Sequence, residues 1–365
     1  MRKHLLPCFV IGLIVAMLSG CSAPQKAKPR PELVFPTPPD EARFYFQQTI
    51  RSSGDIIQST EDEQMMYFLT GAGRLVEVFA KPFDIAVHKG RIFMSDTANR
   101  DVFLMDRTNN RFIKLSDKSP VKFNKPMGLA TDAAGNVYIV DITQKSIFIF
   151  DRDGNFQKRI EAEEHLARPS GIDVTPDGSI AYIVNVGGVS SEQHNIAVIN
   201  LVTGELINTI GTRGPGDGEL NLPKDVAIGN DGLLYIVDSG NFRVSVFTQE
   251  GEFVKNFGKI GTQHGSFSRP KGIAIDPDGH IYVVDAGFGN FQIFNTEGQL
   301  LLFVGERSAR GDRAQYMLPA GIDVDEDGRI FMVDQYLRKV EVYRPATLAK
   351  EAGYFTAKKP PPAAQ

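Results

Sequence analysis

One short pattern occurs six times along this 365-residue chain, and an internal repeat constrains a fold more than any local propensity does. The copies read KPFDIAVHKGRIFMSD from Lys81, KPMGLATDAAGNVYIVD from Lys125, RPSGIDVTPDGSIAYIVN from Arg168, LPKDVAIGNDGLLYIVD from Leu222, RPKGIAIDPDGHIYVVD from Arg269 and LPAGIDVDEDGRIFMVD from Leu318. Their shared proline falls at residues 82, 126, 169, 223, 270 and 319, so successive copies lie 44, 43, 54, 47 and 49 residues apart. Each copy holds two apolar, β-branched runs joined by an Asp-Gly type turn, the signal of a hairpin. A third run follows, such as Val244–Phe247 or Phe291–Phe294, then a second turn and a fourth run such as Phe253–Phe257. Four short strands at this period make one propeller blade. A lone blade leaves both faces of its sheet wet, whereas a closed ring buries them all. The expected fold is all-β: a six-bladed β-propeller of four-stranded blades over residues 41–345.

Ring closure can be read by counting fourth runs. They occur at Phe112–Leu115, Phe156–Ile160, Glu205–Ile210, Phe253–Phe257 and Leu300–Val304, which serves five blades. The sixth ends at Val340–Tyr343 and Pro345 with no successor, while the apolar-rich Arg43–Ile50 has no blade of its own. That N-terminal segment is expected to supply the outer strand of the last blade. Residues 61–73 are expected to form a short helix leading into the first. The repeat resembles the NHL repeat, most clearly in the copies from Leu222 and Arg269. The copy from Arg168 departs most, with Asn185 in place of the usual Asp and an insertion, VGGVSSEQHN, before its third strand. The chain has no tryptophan, which sets it apart from WD40 propellers.

The N-terminus carries a different signal. Arg2 and Lys3 precede an uncharged apolar run, Leu5–Leu18, of 14 residues, too short for the roughly 18–20 that span a bilayer. Leu18-Ser19-Gly20-Cys21 resembles the lipobox of bacterial lipoproteins. This implies removal of residues 1–20, a diacylglyceryl group on the Cys21 thiol and acylation of the freed amine. The alternative is an ordinary secretory signal that contains a cysteine. Cys8 lies in the removable segment, which leaves Cys21 as the sole mature cysteine. A disulfide, a CxxCH haem attachment and a thiolate metal site are thereby excluded. Several acyl chains give stable anchoring, and Ser22 in place of Asp favours, by resemblance to Gram-negative lipoproteins, the outer membrane. Residues 21–40 follow as a linker with six prolines between Ser22 and Asp40, a semi-rigid spacer, and residues 346–365 read as a C-terminal tail. Losing Arg2 and Lys3 takes the formal charge from −4 to −6, so the body offers no bulk attraction for nucleic acid.

Function in propellers usually sits on the face where the fourth strand of one blade leads into the first of the next, called the top here. Cations gather there: Lys81, Lys125, Arg168 and Arg269 precede the shared proline, and Lys224 and Lys271 follow it. They could form a collar for a carboxylate, phosphate or anionic glycan. Alternatively Asp96, Asp141, Asp238, Asp285 and Asp334, which end the second strands at the same rim, could neutralise them. Two places after the proline, Asp84 and Asp225 replace glycine in opposed blades. Two residues deeper, Asp173 and Asp323 replace alanine in another opposed pair. These four acids could hold a calcium ion in the axial channel, or accept hydrogen bonds from neighbouring first-strand amides.

The resemblance brings further expectations. Amidating lyases with a similar fold hold zinc with histidines near the shared proline, where this chain has Phe83, Met127, Ser170, Lys224, Lys271 and Ala320. His88, His165, His194, His264 and His280 occupy non-equivalent positions, which disfavours that zinc site. The Glu, Asn and Asp metal set of gluconolactonase-type propellers does not map onto the sequence either. Asp323–Gly328 mimics the start of an EF-hand loop but lies in register with the ordinary turn Asp276–Gly279. The functional expectation is a lipid-anchored envelope module presenting its top face to a protein, peptide or anionic glycan, with the membrane as second partner and no nucleic acid. The alternative is a metal-dependent hydrolase or lyase at the channel mouth.

Overall fold

The computed structural model describes residues 31–71, 73, 75–188 and 191–356. The expected signal segment, Cys21, the first half of the linker and the last nine residues lie outside them. Among the described residues, no helix is long and apolar enough to cross a membrane.

Six antiparallel sheets follow one another in the order of the repeats. In blade 5 the strands are Pro270–Ile275, Ile281–Asp285, Asn290–Phe294 and Leu300–Val304, hydrogen-bonded in that order. Its first turn shows why the Asp-Gly signal recurs. The Asp276 carboxylate accepts the Asp278 and His280 amides at 2.9 and 2.8 Å, and Gly279 takes φ +85°, open to glycine at no steric cost. Asp325 builds the same turn with the amides of Asp327 and Arg329, so the EF-hand mimic is a hairpin turn.

The apolar core lies between blades. Ile281 and Val283 face blade 4 in one cluster, while Tyr282 and Val284 face blade 6 in another. The period of 2 thus sends alternate side chains to opposite neighbours, and the strand reads as continuously apolar because both faces are covered. Six such clusters, one per seam, close the circle. The first strands of adjacent blades also touch all round, blade 6 meeting blade 1.

The clasp is as expected, with additions. Phe44–Ile50 pairs antiparallel with Lys339–Pro345, from Phe44 opposite Pro345 to Ile50 opposite Val340. Val34–Phe35 then pairs with Phe44 and Tyr45 as a fifth strand, so the linker reading fails from Val34 onward. The tail reading fails as well. Phe355 is buried against Phe331 at the seam of blades 6 and 1, and the fully buried Arg329 reaches the Ala352 carbonyl, Gln47 and the Asp327 carboxylate. The helix spans Glu61–Thr70, capped by Thr60 and ended by Gly71 in the left-handed region. It buries none of its residues; Phe68 is 84 % exposed. Two-residue parallel pairs at Thr212–Arg213/Glu219–Leu220 and Glu306–Arg307/Gln315–Tyr316 stiffen top loops, a detail the sequence reading lacked.

Candidate functional site

Every first strand starts with the same irregularity. Its proline pairs with the Asp or Asn at the end of the second strand, as Pro82 does with Asp96 and Pro169 with Asn185, and the register then slips before pairing resumes three residues on. A bulge of this kind re-aims the side chains it contains. The residue after the proline lines a funnel on the top face, and the next residue forms its floor. Phe83, Met127, Ser170, Lys224, Lys271 and Ala320 all border this cavity of about 400 Å³.

The floor is a ring of six positions. Glycines 128, 171, 272 and 321 occupy four of them. A Cβ at Gly128 or Gly272 would run into the next blade's backbone, and one at Gly171 or Gly321 into the carboxylate of Asp225 or Asp84. Each acid therefore sits between two glycines, which make room for it. Asp84 and Asp225 border both the funnel and a second cavity of about 710 Å³ beneath it, so they stand in the septum between the two.

These acids staple the blades. Asp84 accepts the Leu129 amide of blade 2 at 2.9 Å, and Asp225 the Ile273 amide of blade 5 at 3.0 Å. Asp173 accepts the Ile228 amide of blade 4 and Asp323 the Val87 amide of blade 1, both at 2.7 Å. The remaining oxygens of Asp173, Asp225 and Asp323 take the amide of the following residue in their own strands. Burial pushes all four carboxyls up, against the pull of those amides: Asp84 to about 7 and Asp173 to about 6. Asp225 is raised by burial first and then by the Asp84 charge that faces it, and burial dominates at Asp323 too. Among the described residues they form no group of three with ligand atoms within 4.8 Å of one another; Asp276, Asp278 and His280 do. The geometry lends no support to the calcium expectation for Asp84, Asp173, Asp225 and Asp323. Their oxygens are spent on amides and do not gather as a donor set, whereas calcium takes 6–8 oxygens.

Three of the histidines are engaged elsewhere. His88 meets Glu326 at 3.0 Å, His194 joins the Gly188 carbonyl and the Leu222 amide, and His264 stacks on Phe303.

The collar resolves into a cluster and two outliers. Arg168, Lys224, Arg269 and Lys271 border the funnel; Lys81 and Lys125 do not. Lys271 is half-buried and the other five are exposed. No carboxylate lies within 4.0 Å of any of these six cations among the described residues. The rim acids that could have neutralised them are committed to loop amides. Asp285 accepts those of Ser268, Arg269, Gly287 and Phe288, and Asp141 those of Asn124, Lys125, Thr143 and Gln144. Asp96 and Asp334 bind likewise, while Asp238 takes the Asn221 amide and pairs with Arg243. Asn185 does the same work in the divergent blade, accepting the Ala167 and Arg168 amides. This role was missed because spacing shows that an acid recurs, not which donors meet it.

Crowding shows in the titration of the lysines. Lys224 is pushed down by desolvation between the funnel walls, then by the charges of Arg168 and Arg269. Lys271 is pushed down to about 8 by desolvation and Arg269, with Asp334 opposing and Lys224 and Lys81 pushing the same way as Arg269.

Fold and site together define a six-bladed β-propeller with a blind, cation-bearing funnel at its top. Residues 220–247 and 267–294, in blades 4 and 5, match the NHL repeat model. The chain is 28 % identical over 140 residues to human NHL repeat-containing protein 3, matching 33 % of this chain and 36 % of that protein. The match thus spans about a third of the curated relative. Among solved structures, a streptogramin B lyase superposes with TM-score 0.53 at 14 % identity, covering 73 % of this chain and 94 % of the lyase. A gluconolactonase from Xanthomonas campestris superposes with TM-score 0.55 at 17 % identity, covering 73 % and 86 %. At such identities the likeness concerns the fold alone.

Proposed function

We propose that this protein is a binding module of the bacterial envelope, tethered by lipid on Cys21 and presenting its funnel to an anionic group of a protein, peptide or glycan partner. The observation that carries the reading is the funnel cluster of Arg168, Lys224, Arg269 and Lys271 without a carboxylate partner among the described residues. Like charges held together at a cost in lysine protonation are compensated when an anion arrives. The hydrolase or lyase reading relied on the four channel acids as a metal set, and those acids serve as inter-blade acceptors.

The test is co-purification of the full chain from its native membranes in mild detergent. An envelope partner should accompany the wild-type chain and be lost from the double variant Lys224→Glu/Lys271→Glu; equal recovery from both would overturn the binding site. The tether is checked by mass spectrometry of the mature N-terminus. Acylated Cys21 is expected, and a Cys21→Ser chain should leave the membrane fraction; an unmodified Cys21 would overturn the anchor.

A further inference from the structure

The funnel is divided. Blades 3, 4 and 5 contribute Ser170, Lys224 and Lys271 at the position after the proline, with Arg168 and Arg269 beside them. Blades 6, 1 and 2 contribute Ala320, Phe83 and Met127 at the same position. Because blade 6 adjoins blade 1, each set occupies one continuous half of the ring. A glycan would bring many hydroxyls against the apolar half, where they would find no partners. A bare inorganic anion would leave half of the cavity to water. The septum at Asp84 and Asp225 closes the bottom, so an occupant enters and leaves from above.

We infer that the funnel takes an amphipathic carboxylate, its anionic head against the Lys224 and Lys271 side and its apolar body against Phe83 and Met127. This rests on the anion-binding reading above and narrows it to one ligand chemistry. The volume of about 400 Å³ falls within the roughly 300–1,000 Å³ of small-ligand sites. It admits an acyl chain of medium length or the end of a peptide with an apolar last residue. Burial of the apolar body supplies the attraction that a solvated anion pair lacks. The floor beneath carries no cation, so the partners for the head all lie in the cationic half of the wall.

Calorimetry on the full chain in nanodiscs, with empty nanodiscs of the same lipid as blank, tests this with five probes. They are octanoate, octanol, N-acetylphenylalanine, N-acetylphenylalaninamide and acetate. At least one of the two amphipathic carboxylates is expected to bind tenfold or more tighter than its uncharged analogue and than acetate. Octanoate alone assigns an acyl source, N-acetylphenylalanine alone a peptide end. Lys271→Gln should abolish this binding, and Phe83→Gln should weaken it about tenfold without changing the response to acetate, both variants keeping the wild-type melting temperature. Acetate binding as tightly as octanoate and N-acetylphenylalanine, and lost in Lys271→Gln, would overturn the divided funnel and leave the anion site standing. Uncharged analogues binding as tightly as the acids would overturn it too. No binding of any carboxylate, with partner recovery unaffected by Lys224→Glu/Lys271→Glu, would overturn both readings.

Discussion

A carboxylate buried in a protein seam is stable only while its oxygens are satisfied, and Asp84 meets that condition with the Leu129 amide across the seam and the Ile85 amide in its own strand. The arrangement still favours protonation, because burial outweighs both bonds and Asp225 stands opposite. A raised acid keeps its proton in the native state while the unfolded chain has lost it. Between the unfolded value near 4 and the folded value near 7, the native state therefore binds more protons. Stability attributable to this carboxyl falls as pH rises through that window. Asp84→Asn removes the titration and keeps one carbonyl acceptor. Relative to wild type, the variant should gain stability between pH 5 and pH 8, by about 1.4 kcal/mol for every tenfold change in proton affinity that burial imposes on the acid. Urea unfolding of both chains across that range measures it; a constant difference would mean that Asp84 titrates normally.

At the scale of strands, what the sequence disclosed follows from repetition. Six copies could be laid over one another, so the strand order, the turns and the clasp at Phe44–Ile50 were legible from the repeat alone. So was the run of residues after the shared proline that lines the funnel. Parts that occur once were not legible. Val34–Phe35 and Phe355 belong to the join between chain ends, and no second copy exists to align with them; Arg329 sits in a repeated turn, but its partners Gln47 and Ala352 lie outside the repeats. The recurring rim acids were visible as candidate counter-ions, but their role as acceptors of loop amides was not, because those donors lie in loops that vary from blade to blade. Arg329 gives the join its own test. Its guanidinium ties Asp327 of the last blade to Gln47 of the clasp and to the Ala352 carbonyl of the C-terminal segment. Arg329→Ala leaves Asp325 and Asp327 without that cation, and breaking a buried pair from one side costs roughly 3–5 kcal/mol. Thermal unfolding should show a loss of that size; a loss below about 1 kcal/mol would mean the join is held by strand pairing alone.

For the whole ring the decisive property is that no blade has a free end. An open repeat array divides into neighbouring terms and can unfold from one terminus, but here the seam of blades 6 and 1 is built from both chain ends. Ile50, Phe355 and Val340 pack in the same cluster as Ile85 and Met94. Ile50 is fully buried and opposes Val340 across the clasp, so Ile50→Asp places an unpaired carboxylate where the circle is joined, at a cost of about 3 kcal/mol or more. Opening that seam wets one face of blade 1 and one of blade 6, and each of those sheets supports the next. The variant should therefore melt earlier in a single transition, with far-ultraviolet circular dichroism and tyrosine fluorescence changing together. Two separated transitions, the first confined to the ends and the second matching wild type, would show that blades 2 to 5 stand without the join and that closure does not govern the stability of the molecule.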